Sequence, residues 1–377
     1  MSKKNIENIV RENTVVMILR ITLGLAFILS SVGKGIDPTG TAYRVEDYLG
    51  AYNLLWLHGY ELTISFFLII VEFLIGIALV FKLHAKLAAI GVLLIMIFFT
   101  IITYIDASQN LVPDCGCFGD AVKLTAWETF YKNIVLIILA IIVFAFRKKM
   151  TLSMPGWLQS VVLLIFTSGY LWFMSYSYNH LPVVDFRDWE IGRDMKTENE
   201  GNEKTYLVYQ NKETGEFEEY ISPNYPWNDS VWMSEWEFVD QRLDDSDVIK
   251  KHTLVIESFK GVDFTKVLVE NSNYQFFLVS YDLDEANGEG MLKASELAET
   301  LLNQPVSIAM ITASGPETIG KYWELYKMRY IAYLADDIEL KAMIRSNPGL
   351  VLLKNGIVID KWHYNDFPTS WKEAVIK

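Results

Sequence analysis

Leu62–Phe81 reads LTISFFLIIVEFLIGIALVF, an apolar run broken by a single charge, Glu72. About 20 apolar residues cover the roughly 30 Å hydrocarbon core of a bilayer. The stretch is therefore a transmembrane helix on its own evidence, and its one carboxylate needs a physical reason. Four more stretches have the same character: Thr14–Val32, Leu87–Ile105, Trp127–Phe146 and Trp157–Tyr178. The fourth of the five spans has the weakest start, because Glu128, Lys132 and Asn133 fall in its first turns. The mean hydropathy of +0.20 averages this membrane half with a second half that is acidic, aromatic and soluble in character. Ser30-Ser31-Val32-Gly33-Lys34 closes the first apolar run without an Ala-x-Ala cleavage pattern, so that run reads as a retained signal anchor.

Lysine and arginine counts orient the spans. Lys3, Lys4 and Arg11 precede the first, Lys82 and Lys86 lie in the second connection, and Arg147, Lys148 and Lys149 in the fourth. The longer first connection carries Lys34 and Arg44, and the third only Lys123. The positive-inside rule then puts the N-terminus and connections two and four in the cytoplasm, which fits a bacterial inner-membrane protein. Five spans deliver everything after Tyr178 to the opposite, periplasmic side. The net charge of −13 argues against nucleic acid as a partner, because phosphate binding relies on clustered cations.

That third connection holds Pro113-Asp-Cys-Gly-Cys-Phe-Gly-Asp120, with both cysteines of the chain. Cys115 and Cys117 can close on each other and on nothing else in the chain. A bridge across one residue closes a very small ring with geometry far from relaxed, which makes it easier to reduce than a structural disulfide. Gly116 is the residue best able to adopt the backbone angles such a ring needs. Against exchange, Asp114 and Asp120 flank the pair and raise thiol pKa values. A structural bridge that pins the loop is the alternative. Metal binding is a poor third, since two cysteines with no nearby histidine supply too few ligands for a closed zinc site.

Arg20 and Glu72 are ionisable groups inside spans, expensive unless paired or hydrated. The simplest expectation is that they pair with each other. The sharper one is a polar pocket for a quinone headgroup, bound by Arg20 and Glu72, with Glu128, Lys132 and Asn133 at its mouth or merely interfacial. Tyr104, Trp127 and Tyr131 fit an aromatic belt. His58, on the outer side, is a weak candidate for a base acting on the thiols. His180, His252 and His363 read as packing or surface residues. Phosphate-binding glycine loops, His-Glu-x-x-His and Gly-x-Ser-x-Gly are absent from the sequence.

Beyond the spans, Lys204–Gln210 and Glu216–Ile221 flank Asn211-Lys-Glu-Thr-Gly215 as a hairpin. Trp227, Trp232 and Trp236 follow, expected to cap the next domain, with a place at the membrane surface as the alternative. From His252 onward, the strands Gln275–Tyr281, Ser307–Ile311 and Tyr330–Leu334 alternate with helices Met291–Asn303 and Glu317–Lys327, the pattern of a parallel sheet covered on both faces. A helix Asp337–Ser346, then Asn347-Pro348-Gly349 and two strands about Asn355-Gly356, give a closing antiparallel hairpin.

This order resembles the thioredoxin fold of membrane-tethered periplasmic proteins, in which a cis-proline opens the hairpin beside the active site; Pro348 matches that position. The family's Cys-x-x-Cys would fall within Asp282–Gly290, where this chain has no thiol. The first 150 residues resemble the DoxX and MauE group through Arg20, Gly24, Gly33-Lys34, Asp37-Pro38, Tyr48-Leu49, Glu72, Gly76 and the Cys115-Gly-Cys-Phe-Gly-Asp120 motif. The resemblance implies extracytoplasmic redox maturation, since MauE is linked to disulfide formation in a secreted subunit of methylamine dehydrogenase.

The expected architecture is a multi-pass α-helical membrane bundle plus an α/β thioredoxin-like soluble domain. Residues 1–150 form a four-helix DoxX/MauE-like bundle, 151–180 a fifth helix, 181–251 a tether and 252–377 the thioredoxin-like domain. The expected function is thiol–disulfide exchange by Cys115 and Cys117, with a client protein or redox partner held near Pro348 and electrons passing to a quinone or a separate redox protein. Its rival is a non-enzymatic membrane assembly protein with a structural Cys115–Cys117 bridge.

Overall fold

The computed structural model describes residues 14–109, 111–112, 119, 122, 124–196, 204–244, 252–302 and 304–375. The chain divides into two compact units, residues 1–187 and 188–377. Among the described residues five helices are long and apolar enough to cross a membrane: α1 (Thr14–Ile36), α3 (Glu61–Phe81), α4 (Ala85–Gln109), α5 (Ala126–Ala145) and α6 (Gly156–Asn179). They correspond to the five expected spans, so the first unit is a multi-pass helical membrane bundle.

Between α1 and α3 lies a helix that hydropathy did not reveal, α2 (Pro38–Ala51). Its signal was local. Asp37 is the N-cap, its carboxylate accepting from Gly40 N at 2.8 Å, and Pro38 occupies the first turn, where its missing N–H costs nothing. The weak start of α5 is likewise a cap: Thr125 Oγ1 accepts from Glu128 N while Glu128 accepts from Thr125 N at 2.9 Å, a reciprocal capping box.

Close approach of two glycines sets the α1–α3 packing. A Cβ on Gly24 would lie 3.0 Å from the carbonyl oxygen of Gly76, and one on Gly76 would lie 2.9 Å from that of Gly24. Small residues let membrane helices approach until dispersion replaces the hydrophobic drive that lipid does not supply. On α3, Phe73 stacks on Tyr170 of α6 with ring centroids 4.0 Å apart. Tyr170 also donates to the Ser31 carbonyl at 2.6 Å, tying the fifth span to α1.

The second unit contains two sheets. β1 (Lys204–Asn211), β2 (Phe217–Ile221) and β3 (Trp236–Asp244) form an antiparallel sheet in the order β2-β1-β3, with a short helix α7 (Ser230–Glu235) before β3. The tryptophans serve this sheet rather than the next domain. Trp232 packs edge-on against Tyr209 and Tyr220 and stacks on Trp236, while Trp227 is exposed.

The larger sheet contains β4 (Tyr274–Ser280), β5 (Val306–Thr312), β6 (Ile331–Leu334), β7 (Gly349–Lys354) and β8 (Ile357–His363), ordered β6-β5-β4-β7-β8. β4, β5 and β6 are parallel; β7 and β8 are antiparallel. Helices α8 (Thr265–Val269), α9 (Gly288–Leu301), α10 (Pro316–Tyr326), α11 (Asp337–Met343) and α12 (Trp371–Val375) complete it. β4 is buried on both faces: Phe276 and Leu278 pack with Met291, Leu297 and Trp362, each fully buried apolar side chain contributing about 1.5–3 kcal/mol.

Both outer edges are covered. Gly192 N donates to Val358 O at 2.7 Å and Val358 N to Arg193 O at 3.0 Å, so residues after the fifth span shield β8. Glu257 and Leu334 exchange hydrogen bonds at 2.8 Å along β6, as an isolated bridge. Covered edges remove templates for intermolecular pairing. The Asn347–Pro348 bond is cis and leads into β7. A parallel βαβαβ core followed by a hairpin behind a cis-proline is a thioredoxin-like domain.

Candidate functional site

The buried charges of the membrane unit do not pair as their sequence positions suggest. Glu72, midway along α3 and 1% exposed, takes the ammonium of Lys34 at 2.5 Å and the hydroxyl of Ser30 at 3.0 Å. Ser30 and Lys34 are four residues apart and therefore share one face of α1. Lys34, 6% exposed, also lies 5.4 Å from the centroid of Phe99 on α4.

Arg20 is elsewhere. Its guanidinium donates to the carbonyl of Leu79 and, at 3.0 Å, to that of Val80. These are carbonyls of the last turn of α3, where that of Leu79 also accepts from Lys82 N at 3.4 Å, at the negative end of the helix dipole. The expected Arg20–Glu72 pair is thus replaced by two separate arrangements. The antiparallel packing that sets Gly24 on Gly76 puts Arg20 beside Leu79, seven residues and about 10 Å along the helix from Glu72.

On α4 and α5 a second polar group is buried. Asn133 donates to Thr103 Oγ1 at 3.2 Å, and Thr103 donates to the Phe99 carbonyl at 2.7 Å. Asp106, fully buried one turn further, accepts from Val112 N at 3.0 Å. The phenol of Tyr52, just past α2, is held above its usual pKa range by burial and by the Asp106 charge. Asn133 therefore belongs to the interior rather than the interface.

Apart from Asp106 and Val112, these groups line one cavity of about 720 Å³ at the α2 end of the bundle. Lys34, Glu72, Thr103, Asn133 and Tyr52 supply its polar points, and Arg44, Tyr48 and Lys132 also border it. Most of the remaining wall is apolar, Phe27, Leu68, Met96, Phe99, Ile102 and Leu136 among it. Arg20 does not line this cavity.

Cys115 and Cys117 lie outside the described residues, but both flanks of their loop are anchored beside the cavity. Val112 is buried and held by Asp106. Gly119, with φ of +61°, lies so close to α1 that a Cβ on it would be 2.5 Å from the carbonyl oxygen of Gly33, next to Lys34. Only glycine combines that backbone angle with that approach.

Residues 12–146 match the family model described as methylamine utilisation protein MauE. The match spans the membrane unit up to the end of α5, under half of the chain. None of the curated proteins matches. A crystal structure of a thioredoxin-like protein from Bacteroides caccae ATCC 43185 is similar at 11% identity, covering 83% of this chain and 82% of that one with a TM-score of 0.22. Strand order and direction carry the thioredoxin-like assignment.

Within residues 12–146 hydropathy alone does not find Lys34, which lies at the end of the first apolar run and reads as a loop charge. Its distance of four residues from Ser30 was the available signal. His58 pairs with Glu61 at 3.1 Å and is well exposed, the geometry of a local turn. His180 stacks on Tyr176, His252 lies against Trp189, and His363 accepts from Asn365 N, all packing roles. Tyr104 and Trp127 both lean on Phe130, and Trp127 also on Tyr131, an aromatic cluster on the bundle exterior.

In the thioredoxin-like domain, Pro348 is buried. Asn347 fixes it, accepting from Ser280 Oγ at 2.7 Å and donating to the Asp282 carbonyl at 2.6 Å. Gly290 of α9 covers it: a Cβ there would be 2.7 Å from Tyr364 Cβ and 3.0 Å from Pro348 Cδ. On this side Pro348 is covered by the backbone of Gly290. The stretch where the family's thiol pair would stand has no room for a side chain at this point.

Proposed function

We propose that this membrane protein serves extracytoplasmic thiol–disulfide maturation. Cys115 and Cys117 exchange a disulfide with a cysteine pair of a client: a thiolate attacks one sulfur, a mixed disulfide forms, the second thiol resolves it, and two electrons and two protons change hands. The thioredoxin-like domain, lacking thiols, holds the client through the surface beside Pro348 and the N-terminus of α9. The reading places the N-terminus in the cytoplasm and the cysteine loop and C-terminal domain outside. Burial of Lys34 supports this, because it removes one lysine from the outer count while Arg147, Lys148 and Lys149 remain together after α5.

One observation carries the proposal: Val112 and Gly119 anchor the two flanks of the cysteine loop beside a cavity that contains a buried ion pair. The rival, a structural bridge in an assembly protein, is favoured by the sequence of the thioredoxin-like domain, which has no cysteine with which to exchange a disulfide.

The test is the reduction potential of the Cys115–Cys117 pair, together with trapping by Cys117→Ser. A potential near the periplasmic poise and a mixed disulfide with an envelope protein support exchange. A value below about −300 mV with no trapped partner gives the structural bridge.

A further inference from the structure

The cavity that Lys34 and Glu72 share is bordered by exposed apolar side chains of two spans. Among its lining residues Phe67 is 69% exposed, Phe98 52% and Leu54 36%, and Phe67 and Phe98 lie on the membrane-spanning helices α3 and α4. A ligand that enters past these side chains comes from the bilayer and carries an apolar body. The interior then sets the head. The Lys34 ammonium has three donors and, among the described residues, gives one to Glu72 and faces Phe99 with its charge. Asn133 gives one N–H to Thr103 and has a second. The buried Tyr52 hydroxyl has no hydrogen-bond partner among the described residues. The interior thus offers several donors to an acceptor-bearing head.

Charge narrows the class. Glu72 already neutralises Lys34, and Arg44, which borders the cavity together with Lys132, lies 3.7 Å from Asp47, so the floor itself attracts neutral acceptors more than it attracts a phosphate. An aromatic-sized ring with carbonyl oxygens and an isoprenoid tail satisfies every feature: the tail lies along Phe67 and Phe98, the ring between apolar walls, and the carbonyls against Lys34, Asn133 and Tyr52. Pockets for such ligands are mostly apolar with few placed polar groups, and about 720 Å³ is within their usual size.

We infer that this cavity binds the headgroup of a lipid-soluble quinone. The site differs from the one expected from sequence in that Lys34 and Asn133, not Arg20, contact the head. The inference rests on the thiol–disulfide reading only for its electrons: a dithiol becoming a disulfide releases two electrons and two protons, and a quinone taking both becomes a quinol.

The experiment uses the full-length protein, purified in detergent and titrated with decylubiquinone, with binding read from tryptophan fluorescence quenching. Saturable binding is expected, weakened at least tenfold by Asn133→Leu and by Ile102→Trp, a wall substitution that narrows the cavity without removing a buried polar partner. Cys115→Ser/Cys117→Ser should bind like the wild type. Absence of saturable binding, equal binding by both cavity variants, or displacement of the quinone by stoichiometric phosphatidylglycerol overturns the inference. A trapped client disulfide in a protein that fails to bind decylubiquinone would overturn this inference while the maturation role stands; quinone binding with no trapped client would do the reverse.

Discussion

Glu72 of α3 holds the ammonium of Lys34, from the last turn of α1, at 2.5 Å, while Arg20 on the same α1 face binds the carbonyls of Leu79 and Val80. One acidic group and two basic ones within spans are thereby satisfied by different means. Removing either partner of a buried pair leaves the other charge uncompensated, at about 3–5 kcal/mol, whereas replacing both with apolar groups is often neutral. Lys34→Met and Glu72→Leu alone should therefore each lower the thermal midpoint of the detergent-solubilised protein sharply. The double variant Lys34→Met/Glu72→Leu should recover most of the loss. Additive losses would show that the two side chains do not act as a pair.

The Gly24–Gly76 contact makes a second prediction. An alanine at Gly24 would push its Cβ to 2.8 Å from Val80 Cγ2 and 3.0 Å from the Gly76 carbonyl oxygen. Overpacking of this kind costs about 1–3 kcal/mol. Gly169→Ala, in α6, meets nothing within 4 Å and gains helix propensity. Thermal unfolding should separate the two: Gly24→Ala falls and Gly169→Ala holds or rises.

Grafting a thiol into the thioredoxin-like domain should fail at Gly290. The Cβ of Gly290→Cys would meet the Cβ of Tyr364 at 2.7 Å, and neither atom is the end of a flexible chain. The expected result is a loss of about 1–3 kcal/mol and a thiol with low reactivity toward a bulky maleimide. A stable, fast-labelling Gly290→Cys would show that α9 lifts readily from Pro348.

His252 makes stability depend on pH. Burial holds its imidazole below the usual range, so the folded domain keeps it neutral. The unfolded chain takes up a proton near pH 6.5. Below that value the unfolded state binds more protons, and stability falls as the pH drops from about 6.5 through the folded value, then levels off. Amide hydrogen exchange of the second unit in the full-length protein, measured between pH 7.5 and 5 and corrected for intrinsic exchange, should show this loss. His252→Phe should flatten it.

Much of the fold was legible because its signals are local. Each span announces itself through about 20 consecutive apolar residues, and the strand Gln275–Tyr281 through an apolar run between turns. Asn355-Gly356 marked the final hairpin for the same reason: two adjacent residues decide a two-residue turn, and both have positive φ. What was local but not hydropathic was missed, as with α2, whose Asp37-Pro38 start is a capping signal on a chain segment of mixed polarity.

The site was less legible. Sequence named Glu72 and the Cys115–Cys117 loop as features to be explained, and left Asn133 between the interface and the mouth of a pocket. It assigned Glu72 the wrong partner, because pairing depends on the register of two antiparallel helices, and that register follows from where Gly24 and Gly76 let the backbones touch. It treated Trp232 and Trp236 as a cap for another domain, although β1 and β2 bring Tyr209 and Tyr220 to them.

By itself the sequence determined that five helices cross a bilayer and that an α/β domain follows, since apolar length and strand–helix alternation are properties of consecutive residues. Only the tertiary structure decided that Lys34 neutralises Glu72, that Asn133 and Tyr52 share their cavity, and that Gly290 covers Pro348. Those relations join residues tens of positions apart, and close packing of backbones, rather than any propensity of the residues themselves, selects which of them meet.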